Sequence, residues 1–461
     1  MYRHLYHSIL LFHFLCASTT PGTAQVISGG GYHSLAVCND NTLSSWGRNS
    51  DGALGDGSNT HSNVPVQVLS LTGITATAGG GDHSLALRND GTVWSFGGND
   101  AGQLGDGSII NDSVPEQVIG LTGITAIAAG GYHSMALKND STLWTWGDNS
   151  SGALGNGTNT DSPVPVQVNS LTDVIAAKGG DYYSLALKSD GTVWAWGANN
   201  QGQLGIGTTA SSNTPVQVSS LTIVAAIGAG FYYSMALLSD GSLRSWGGNF
   251  SGQLGNGTNT ASHVPVPVSS ITSVAAIAAG GNHGLALKSD GTVWAWGRNN
   301  DGQLGDGTNT DSNLPVQVDP LAGTMAIAGG GNHSLAAGSD GTVRSWGFNS
   351  HGQLGEGTND PSPVPMHVIT LCPVVIGVVD LLDDNTFSVF PNPTNGRFEV
   401  AGMDFSDGAI LEIRDVLGQE VYRSAARGPL SEIDLYAQPD GIYFLSIQTS
   451  NAITTRRLIK Q

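Results

Sequence analysis

The sequence predicts an all-β protein, a seven-bladed β-propeller followed by a small C-terminal β-sandwich. One pattern of residues recurs seven times at a constant spacing of 50 residues, without insertions, and such a spacing is typical of solenoids and propellers. The segments within each copy are short and rich in Val, Ile and aromatic residues, which favours strands. After about residue 383 the repeat stops and the composition changes.

The N-terminal residues, MYRHLYHSILLFHFLCASTTPGTAQ, have the order of parts that is typical of a secretory signal peptide. Arg3 precedes a mostly apolar run from Ser8 to Cys16, and small residues then lead to Ala24. We therefore predict a signal peptide over residues 1–24, with a disordered tail as the alternative. No other stretch has the roughly 18 apolar residues that a membrane-spanning helix needs, so no transmembrane segment is expected.

The repeat region, residues 25–380, is predicted to form the propeller. In the third copy the segments GITAIAAG, HSMAL, TLWTWG and VPVQV read as four strands, so seven copies give seven four-stranded blades. Both faces of a blade are covered by its neighbours, which explains why the strands lack a clean polar alternation. The dipeptide at Asp90–Gly91 and its equivalents predicts a two-residue hairpin between the second and third strands.

Charge and motif content disfavour several classes of function. The net charge of −19 repels phosphate backbones, so nucleic acid is not an expected partner. The motifs H-E-x-x-H, G-x-S-x-G and G-x-x-x-x-G-K-[ST] do not occur, although a triad assembled in space stays open. We therefore predict no catalytic residues, no cofactor and a protein that is not an enzyme.

Five histidines recur at one position of the repeat and raise the question of a metal site. Ring symmetry would spread them one per blade, whereas a zinc ion needs three or four ligands that converge on one point. We predict a structural hydrogen bond within each blade instead, and no metal. The Asp- and Asn-rich loops, such as residues 299–312, lack EF-hand spacing and are read as solvated turns. The recurring residues are His33, His83, His133, His283 and His333.

Variation between the copies predicts where a binding site would lie. In a four-stranded blade, the loop between strands one and two and the loop between strands three and four lie on one face. The copies differ most in these two loops, so that face is the expected binding face. Copies four and five replace the shared Gly-Gly-x-His with aromatic and acidic residues, and neighbouring exposed aromatics are favoured anchors for a protein or glycan. The candidate binding residues are Asp181, Tyr182, Tyr183, Phe231, Tyr232, Tyr233 and Phe250. The alternative is that Tyr183 and Tyr233 replace a structural histidine and pack inward.

Two segments could supply the innermost strand of the first blade, and two cysteines could fasten the ring. Residues 25–29 and residues 371–379 both align with that strand, and the first is preferred because it is contiguous with its blade. Cys38 ends the second strand of the first blade, while Cys372 falls where an adjacent first strand would begin. We therefore predict a Cys38–Cys372 disulfide that clasps the ring.

The repeated pattern GGYHSMALKNDSTLWTWGDNSSGALGNGT…VPVQV closely resembles the regulator of chromosome condensation repeat family, over residues 25–372. Kelch repeats share the period but fit the SWG.N..GQLG.G segment less well. The resemblance implies a seven-bladed propeller. It also implies guanine-nucleotide exchange, the activity of the nuclear member, although the acidic charge and the export signals contradict a nuclear location.

After a linker over residues 381–386, residues 387–461 resemble the C-terminal sorting domain of type IX secretion cargo. The segments that carry this resemblance are FPNPTNG, DVLGQEV, GIYFLSI and a basic end. It implies export through the type IX machinery and a protein that is secreted or held at the outer-membrane surface. An ordinary accessory sandwich is the alternative. The sorting-motif residues are Pro391, Asn392, Pro393, Gly396, Gly418, Gly441, Arg456, Arg457 and Lys460.

Together these observations predict a secreted or cell-surface scaffold that binds an unknown protein or glycan through one propeller face. Exchange-factor activity is the first alternative. The second is a secreted enzyme or an inhibitor of a secreted hydrolase.

Overall fold

The computed structural model describes residues 24–321, 323–369 and 371 of the repeat region. In the C-terminal region it describes residues 388–390, 397–401, 409–415, 419–426, 430–439, 441–448 and 453–460. The backbone contacts divide the chain into two compact units, Met1–Pro373 and Val374–Gln461. All regular elements of these described ranges are strands. In the same ranges no helix is long and apolar enough to span a membrane.

Within its described residues the first unit contains 28 strands, numbered β1 to β28 in chain order, four to a blade. The first strands are Ala24–Gly29 (β1), Ile74–Gly79 (β5), Ile124–Ala129 (β9), Val174–Gly179 (β13), Val224–Ala229 (β17), Val274–Ala279 (β21) and Thr324–Gly329 (β25). The second strands are His33–Cys38 (β2), His83–Arg88 (β6), His133–Lys138 (β10), Tyr183–Lys188 (β14), Tyr233–Leu238 (β18), His283–Lys288 (β22) and His333–Gly338 (β26).

The remaining two strands of each blade complete the sheet. The third strands are Leu43–Gly47 (β3), Val93–Gly97 (β7), Leu143–Gly147 (β11), Val193–Gly197 (β15), Leu243–Gly247 (β19), Val293–Gly297 (β23) and Val343–Gly347 (β27). The fourth strands are Ser62–Gln67 (β4), Asp112–Gln117 (β8), Ser162–Gln167 (β12), Ser212–Gln217 (β16), Ser262–Pro267 (β20), Ser312–Gln317 (β24) and Ser362–His367 (β28). The predicted seven-bladed architecture is confirmed.

Every blade is an antiparallel sheet whose strands follow chain order, so no blade borrows a strand from elsewhere in the sequence. In the first blade β1 pairs with β2, for example Ile27 opposite Ala36, which confirms the preferred origin of the innermost strand. The hairpin between strands two and three is fastened by a side chain. In the second blade Asp90 Oδ1 accepts hydrogen bonds from the Thr92 amide at 3.0 Å and from Thr92 Oγ1 at 2.6 Å.

The blades form a closed ring, because a circuit of backbone hydrogen bonds passes through all seven of them. Each link joins the loop after a first strand to the same loop of the next blade. The links are Gly31 N to Gly80 O, Gly81 N to Gly131 O, Gly131 N to Gly180 O, Asp181 N to Phe231 O, Phe231 N to Gly281 O, Gly281 N to Gly330 O and Gly331 N to Gly30 O, at 2.8 to 3.3 Å. The last link joins the seventh blade to the first.

The core lies between blades and is built around one large aromatic residue per third strand. In the first blade Trp46 is fully buried and donates its indole N–H to the carbonyl of Gln353 in the seventh blade, at 2.9 Å. Ser34 of the first blade donates its hydroxyl to the same carbonyl, at 2.9 Å. Burying an indole with its N–H satisfied adds apolar contact without an unpaired donor. The second blade has Phe96 at the equivalent position.

The C-terminal unit has two antiparallel sheets that share one core. Its strands are Ser388–Phe390 (β29), Arg397–Ala401 (β30), Ala409–Asp415 (β31), Glu420–Ala426 (β32), Leu430–Asp434 (β33), Gly441–Gln448 (β34) and Ile453–Lys460 (β35). The sheet orders are β29-β30-β33 and β32-β31-β34-β35. Phe398 and Ile433 from the first sheet pack with Ile413, Leu445 and Leu458 from the second. This is the predicted β-sandwich.

Candidate functional site

The variable loops of the propeller lie together on one face, as the sequence predicts. In the first blade the amide of Arg48, after β3, donates to the carbonyl of Tyr32, before β2, at 2.9 Å. In the fifth blade Gly248 donates to Tyr232 in the same way, at 2.8 Å. We call this the mouth face, because the central cavity opens among these loops.

The central cavity, called the axial channel here, has a volume of about 570 Å³ and is lined by all seven blades. Its walls are the first strands and the loops that follow them. Small residues predominate there, such as Ala78, Ala128 and Gly228, because seven strands converge near the axis. The charged lining residues are Asp82, Lys178 and Asp181.

The rim of the channel is made of glycine in five blades and of larger residues in blades four and five. A Cβ on Gly131 would lie 2.3 Å from Asp181 Oδ1, and a Cβ on Gly281 would lie 2.4 Å from Phe231 Cε2. The glycines on either side therefore leave the space that the Asp181 and Phe231 side chains occupy. These two side chains are the feature that distinguishes blades four and five at the rim.

Four aromatic side chains surround this part of the mouth, and we call them the aromatic arc: Tyr132, Tyr182, Phe231 and Tyr232. The rings of Tyr132 and Tyr182 stack, with centroids 5.3 Å apart and an interplanar angle of 22°. The Tyr232 hydroxyl donates to Asp181 Oδ2 at 3.0 Å, which ties blade five to blade four. Tyr132 is 38% exposed. It was absent from the predicted set, although the sequence has a tyrosine at this position in the first, third, fourth and fifth copies.

The electrostatic surroundings keep the arc's hydroxyls protonated. Partial burial and the nearby Asp181 carboxylate raise the pKa of Tyr232 to about 12. The same two causes raise the pKa of Tyr182 further. Burial also raises the pKa of Asp181, against the lowering effect of the Tyr232 hydrogen bond. The phenols are therefore neutral hydrogen-bond donors and acceptors over the physiological pH range.

Two of the predicted binding residues do not belong to the mouth. Tyr183 and Tyr233 are fully buried between blades, so their assignment as surface anchors is wrong and the inward-packing alternative is correct. Tyr183 donates its hydroxyl to the carbonyl of Tyr233, and Tyr233 donates to the carbonyl of His283. The glycine before each strand makes the space, since a Cβ on Gly180 would lie 1.9 Å from the Tyr183 ring.

The five recurring histidines occupy the same place in the other seams between blades. His83 Nε2 lies 2.9 Å from Ser134 Oγ of the next blade, and the Ser134 hydroxyl donates its one proton to the carbonyl of Gln103. The histidine must therefore donate through Nε2–H, which leaves Nδ1 as an unpaired acceptor. Burial lowers the pKa of His83 to about 3, so the ring is neutral. These histidines form structural hydrogen bonds, but each bond joins two neighbouring blades and not one blade to itself, so that part of the prediction is wrong. Within the described residues no group of three or more His, Cys, Asp or Glu side chains is placed to hold a metal ion.

Of the remaining predicted site residues, the structure describes some and not others. Phe250 lies on the mouth-face loop after β19 and is 76% exposed. Cys38 is buried and disulfide-bonded, but Cys372 lies outside the described residues, so their pairing stays a prediction. Among the sorting residues, Gly441 pairs with Lys460 across β34 and β35, where the backbone of Arg456 and Arg457 also lies. Five lie outside the described residues: Pro391, Asn392, Pro393, Gly396 and Gly418.

A second cluster on the mouth face joins the seventh blade to the first and was not predicted as a site. The ring of Tyr32 meets the rings of Phe348 and His351 edge to face, with centroids 6.2 Å and 5.7 Å away. The rings of His351 and His61 lie 5.0 Å apart. Arg48 is 5.9 Å from the Tyr32 ring. Phe348, His351 and His61 each differ from the residues at the same repeat position in the other six copies, and only ring closure brings the first and last copies together.

Known protein families match both units of the chain. A model described as the regulator of chromosome condensation (RCC1) repeat matches residues 40–87, 90–137 and 140–187, and a second repeat model of that description matches residues 25–53, 74–103 and 124–153. An RCC1-like domain model matches residues 178–379. The chain belongs to the regulator of chromosome condensation repeat family. A secretion system C-terminal sorting domain matches residues 388–461, so this family member carries an export signal at its C-terminus.

Solved structures of three other proteins or complexes show the same fold. Prp20p from Saccharomyces cerevisiae, described with its binding to Gsp1p and histones, is 26% identical with a TM-score of 0.65 over 76% of this chain and 86% of its own. Human WBSCR16 is 24% identical with a TM-score of 0.65 over 71% of this chain and 93% of its own. The yeast protein bound to Kap60 is 24% identical, with a TM-score of 0.65 over 80% of this chain and 91% of its own. No curated protein sequence matches the chain.

Proposed function

We propose that this family member is an exported binding scaffold, which engages a protein or glycan partner through the mouth face of its propeller. One observation carries the proposal. At the rim of the axial channel, five blades have glycine where blades four and five have Asp181 and Phe231, and Tyr132, Tyr182 and Tyr232 of the aromatic arc lie beside these two residues. The residues of the propeller therefore break the repeat pattern at the mouth of the axial channel.

The chemistry of the arc suits a partner surface. Aromatic side chains supply large contact areas for little loss of conformational freedom, and Tyr residues add a polar hydroxyl. The stacked Tyr132 and Tyr182 hold each other in position, and the Asp181 hydrogen bond positions Tyr232. Because the arc sits on a closed ring of strands, binding would require little reorganisation of the backbone.

The C-terminal unit supports the proposed location of the protein. A sorting domain of this kind directs export, so the proposed partner is met outside the cell or at its surface. The predicted signal peptide, residues 1–24, agrees with this route, and residues 1–23 lie outside the described residues. We propose that the sorting domain engages the type IX machinery and that the propeller performs the binding.

Affinity capture from the native cell surface tests the proposal, with the full-length protein as bait. We compare the wild type with Tyr182→Ala and Phe231→Gly, the latter restoring the residue that five other blades have at the rim. Truncating an anchor at the centre of a contact surface typically costs more than 1 kcal/mol, so each variant is expected to retain its partner at least about fivefold less well.

The matched control is Lys188→Gln, at the hairpin on the opposite face of the same blade, which is expected to capture the partner like the wild type. Equal capture by Tyr182→Ala, Phe231→Gly and the wild type would remove the mouth face from the proposal. Loss of capture in the Lys188→Gln variant alone would move the binding site to the opposite face.

Guanine-nucleotide exchange is the second candidate, favoured by the similarity to yeast Prp20p, whose structure is described with its binding to Gsp1p. The measurement is release of a fluorescent guanosine diphosphate from a purified small GTPase of the exporting cell, with and without the propeller. We expect no acceleration, because the sorting domain supports export and an exported protein does not meet the small GTPases of the cell interior. Catalytic acceleration of release would replace the scaffold proposal.

We further propose that the propeller is not an enzyme. The purified protein is expected to give no turnover on peptide and glycan libraries. Turnover that persists after further purification, and that disappears when a mouth-face residue is changed, would contradict this.

A further inference from the structure

The axial channel contains one residue that breaks its pattern. Lys178 lies on β13, one residue before the strand ends, and lines the cavity. The six equivalent positions in the other blades all carry small, uncharged residues. They are Ser28, Ala78, Ala128, Gly228, Ala278 and Ala328. Six small residues leave the open space into which the one long side chain extends.

Lys178 is exposed only to this confined space. Its side chain is accessible to solvent inside the channel, yet the surrounding protein replaces most of the bulk water around it. This loss of hydration lowers the pKa of Lys178. No charged neighbour contributes to that shift. The nearest rim acid in sequence, Asp181, is three residues further along the chain, a span of about 10 Å in extended backbone. A cation in such a place is costly unless an anion accompanies it.

The two acids of the lining do not serve as that anion. Asp82 forms an ion pair with Arg48 at the mouth. Asp181 accepts the Tyr232 hydrogen bond, and burial raises its pKa. Both therefore have partners at the rim, and Lys178 remains the positive group deeper in the channel.

We propose that the axial channel binds a carboxylate at the end of a slender chain, and that Lys178 is the group that binds it. This inference rests on the proposed function, because it names the chemistry that the same mouth admits. The net charge of −19 disfavours polyanions, so the ligand proposed here carries a single negative charge, that of one carboxylate. The carboxylate has two sources, the C-terminus of an extended peptide and a uronic acid at the end of a glycan, and the probes below separate them.

Calorimetric titration of the full-length protein tests the inference with two pairs of probes. The peptide pair is acetyl-tetraglycine with a free carboxylate and the same peptide with a C-terminal amide. The sugar pair is glucuronate and glucose. We expect one charged member to bind at least about tenfold more tightly than its neutral partner. Preference within the peptide pair assigns a peptide terminus, and preference within the sugar pair assigns a uronic acid.

Variants of the lysine separate charge from shape. Lys178→Gln is expected to remove the preference for the charged probe, because it places an uncharged residue at a position where the other six blades also have uncharged residues. Lys178→Arg is expected to keep the preference. Lys188→Gln removes one positive charge from the opposite face of the same blade and is expected to bind both probes like the wild type.

A second measurement reports on Lys178 itself. The lysines are reductively methylated with ¹³C, and the Lys178 signal is assigned by its absence from Lys178→Gln. The bound carboxylate is expected to raise the pKa that this signal reports. Equal binding of charged and neutral probes, or an unchanged preference in Lys178→Gln, would overturn the inference. If Lys178→Gln captures the surface partner normally while Tyr182→Ala does not, the scaffold proposal stands and the channel inference falls.

Discussion

Each seam between two blades contains a buried histidine or tyrosine whose ring occupies the space that a glycine of its own blade leaves open. In five seams the ring is histidine. Burial lowers the pKa of His33 and His133 to about 4, and of His83, His283 and His333 to about 3, from an ordinary value near 6.5. The folded protein holds these rings neutral, whereas the unfolded chain protonates them as the pH falls below 6.5.

The histidines predict a specific loss of stability in acid. Because the pKa of each is depressed on folding, its contribution is fully present above pH 6.5 and is lost as the pH falls toward 4. Each histidine then adds about 1.4 kcal/mol per pH unit to the decline of the unfolding free energy. The measurement is unfolding by denaturant between pH 4 and 7. His133→Tyr copies the arrangement of Tyr183, so the unfolding free energy of this variant should fall less steeply with decreasing pH than that of the wild type. Identical slopes for the variant and the wild type would contradict the assignment of the acid instability to the buried histidines.

One exposed residue is held in a backbone conformation that does not suit it. Ile223 has a φ of 57°, in the left-handed region; of its equivalents, Gly73, Gly123 and Gly323 are glycine, while Asp173 and Ser273 also have a positive φ. A left-handed conformation costs a non-glycine residue about 1 to 2 kcal/mol. Ile223 is also 58% exposed, so its side chain loses little packing on removal.

We therefore expect Ile223→Gly to raise the unfolding free energy by about 1 kcal/mol and to raise Tm. The control is Ile175→Gly, which removes another half-exposed isoleucine from the extended strand β13 and should lower Tm. Thermal unfolding of both variants under one set of conditions checks this. A lower Tm for Ile223→Gly would show that the side chain matters more than the strain.

At the scale of elements, the seam between blades five and six is a matched pair of strands rather than a set of single residues. Where β18 carries Tyr233, the facing position on β22 is Gly284, whereas the histidine seams have serine there. The Tyr233 hydroxyl donates to the backbone carbonyl of His283, so it does not need a serine hydroxyl as its hydrogen-bond partner. A Cβ on Gly284 would lie 2.6 Å from the Trp296 ring, so Gly284→Ser alone is expected to destabilise the fold.

This pairing predicts a favourable coupling between two substitutions. Tyr233→His alone introduces an imidazole N–H that has no serine hydroxyl to accept its hydrogen bond, and Gly284→Ser alone crowds Trp296. The double variant recreates the arrangement of His283 and Ser334. We expect it to be more stable than the sum of the single changes predicts, by about 1 kcal/mol. A double-mutant cycle by denaturant unfolding measures this coupling, and strict additivity would refute the paired interpretation.

The sequence predicted the elements well because each signal was local or repeated. The spacing of 50 residues, the Asp90–Gly91 hairpins and the variable loops were sufficient for the blades, their count and the mouth face. The seams were harder to predict. Whether Tyr183 points outward or inward depends on Gly180 of its own blade and on the Tyr233 carbonyl of the next, and the pattern of one copy contains only the glycine. Tyr132 and Lys178 were missed for a related reason, since each gains its significance from neighbouring blades.

At the scale of the whole molecule, closure depends on the seam between the seventh and first blades, because no strand is exchanged across it. That seam has the same bonds as the others: Ser34 Oγ lies 2.9 Å from His333 Nε2, and Gly357 donates to the carbonyl of Asn63 at 2.9 Å. A covalent clasp would therefore add to a ring that already closes by itself.

The predicted Cys38–Cys372 disulfide is tested by its effect on stability. A crosslink across so long a loop constrains the unfolded chain, and removing one typically costs about 2 to 4 kcal/mol. Cys38→Ser is expected to lower Tm, and a reductant is expected to lower the Tm of the wild type but not that of the variant. Recovery of both cysteines as free thiols after non-reducing denaturation would refute the clasp.

The central claim is that a closed ring of seven blades presents one specialised face, at blades four and five, to an extracellular partner. Photo-crosslinking on the intact cell surface tests it most directly. A photoreactive amino acid replaces Phe250 on the mouth face in one variant and Ser189 on the opposite hairpin in another. We predict that the residue-250 variant crosslinks a partner that the residue-189 variant does not. Crosslinking of that partner from residue 189 alone would contradict the account.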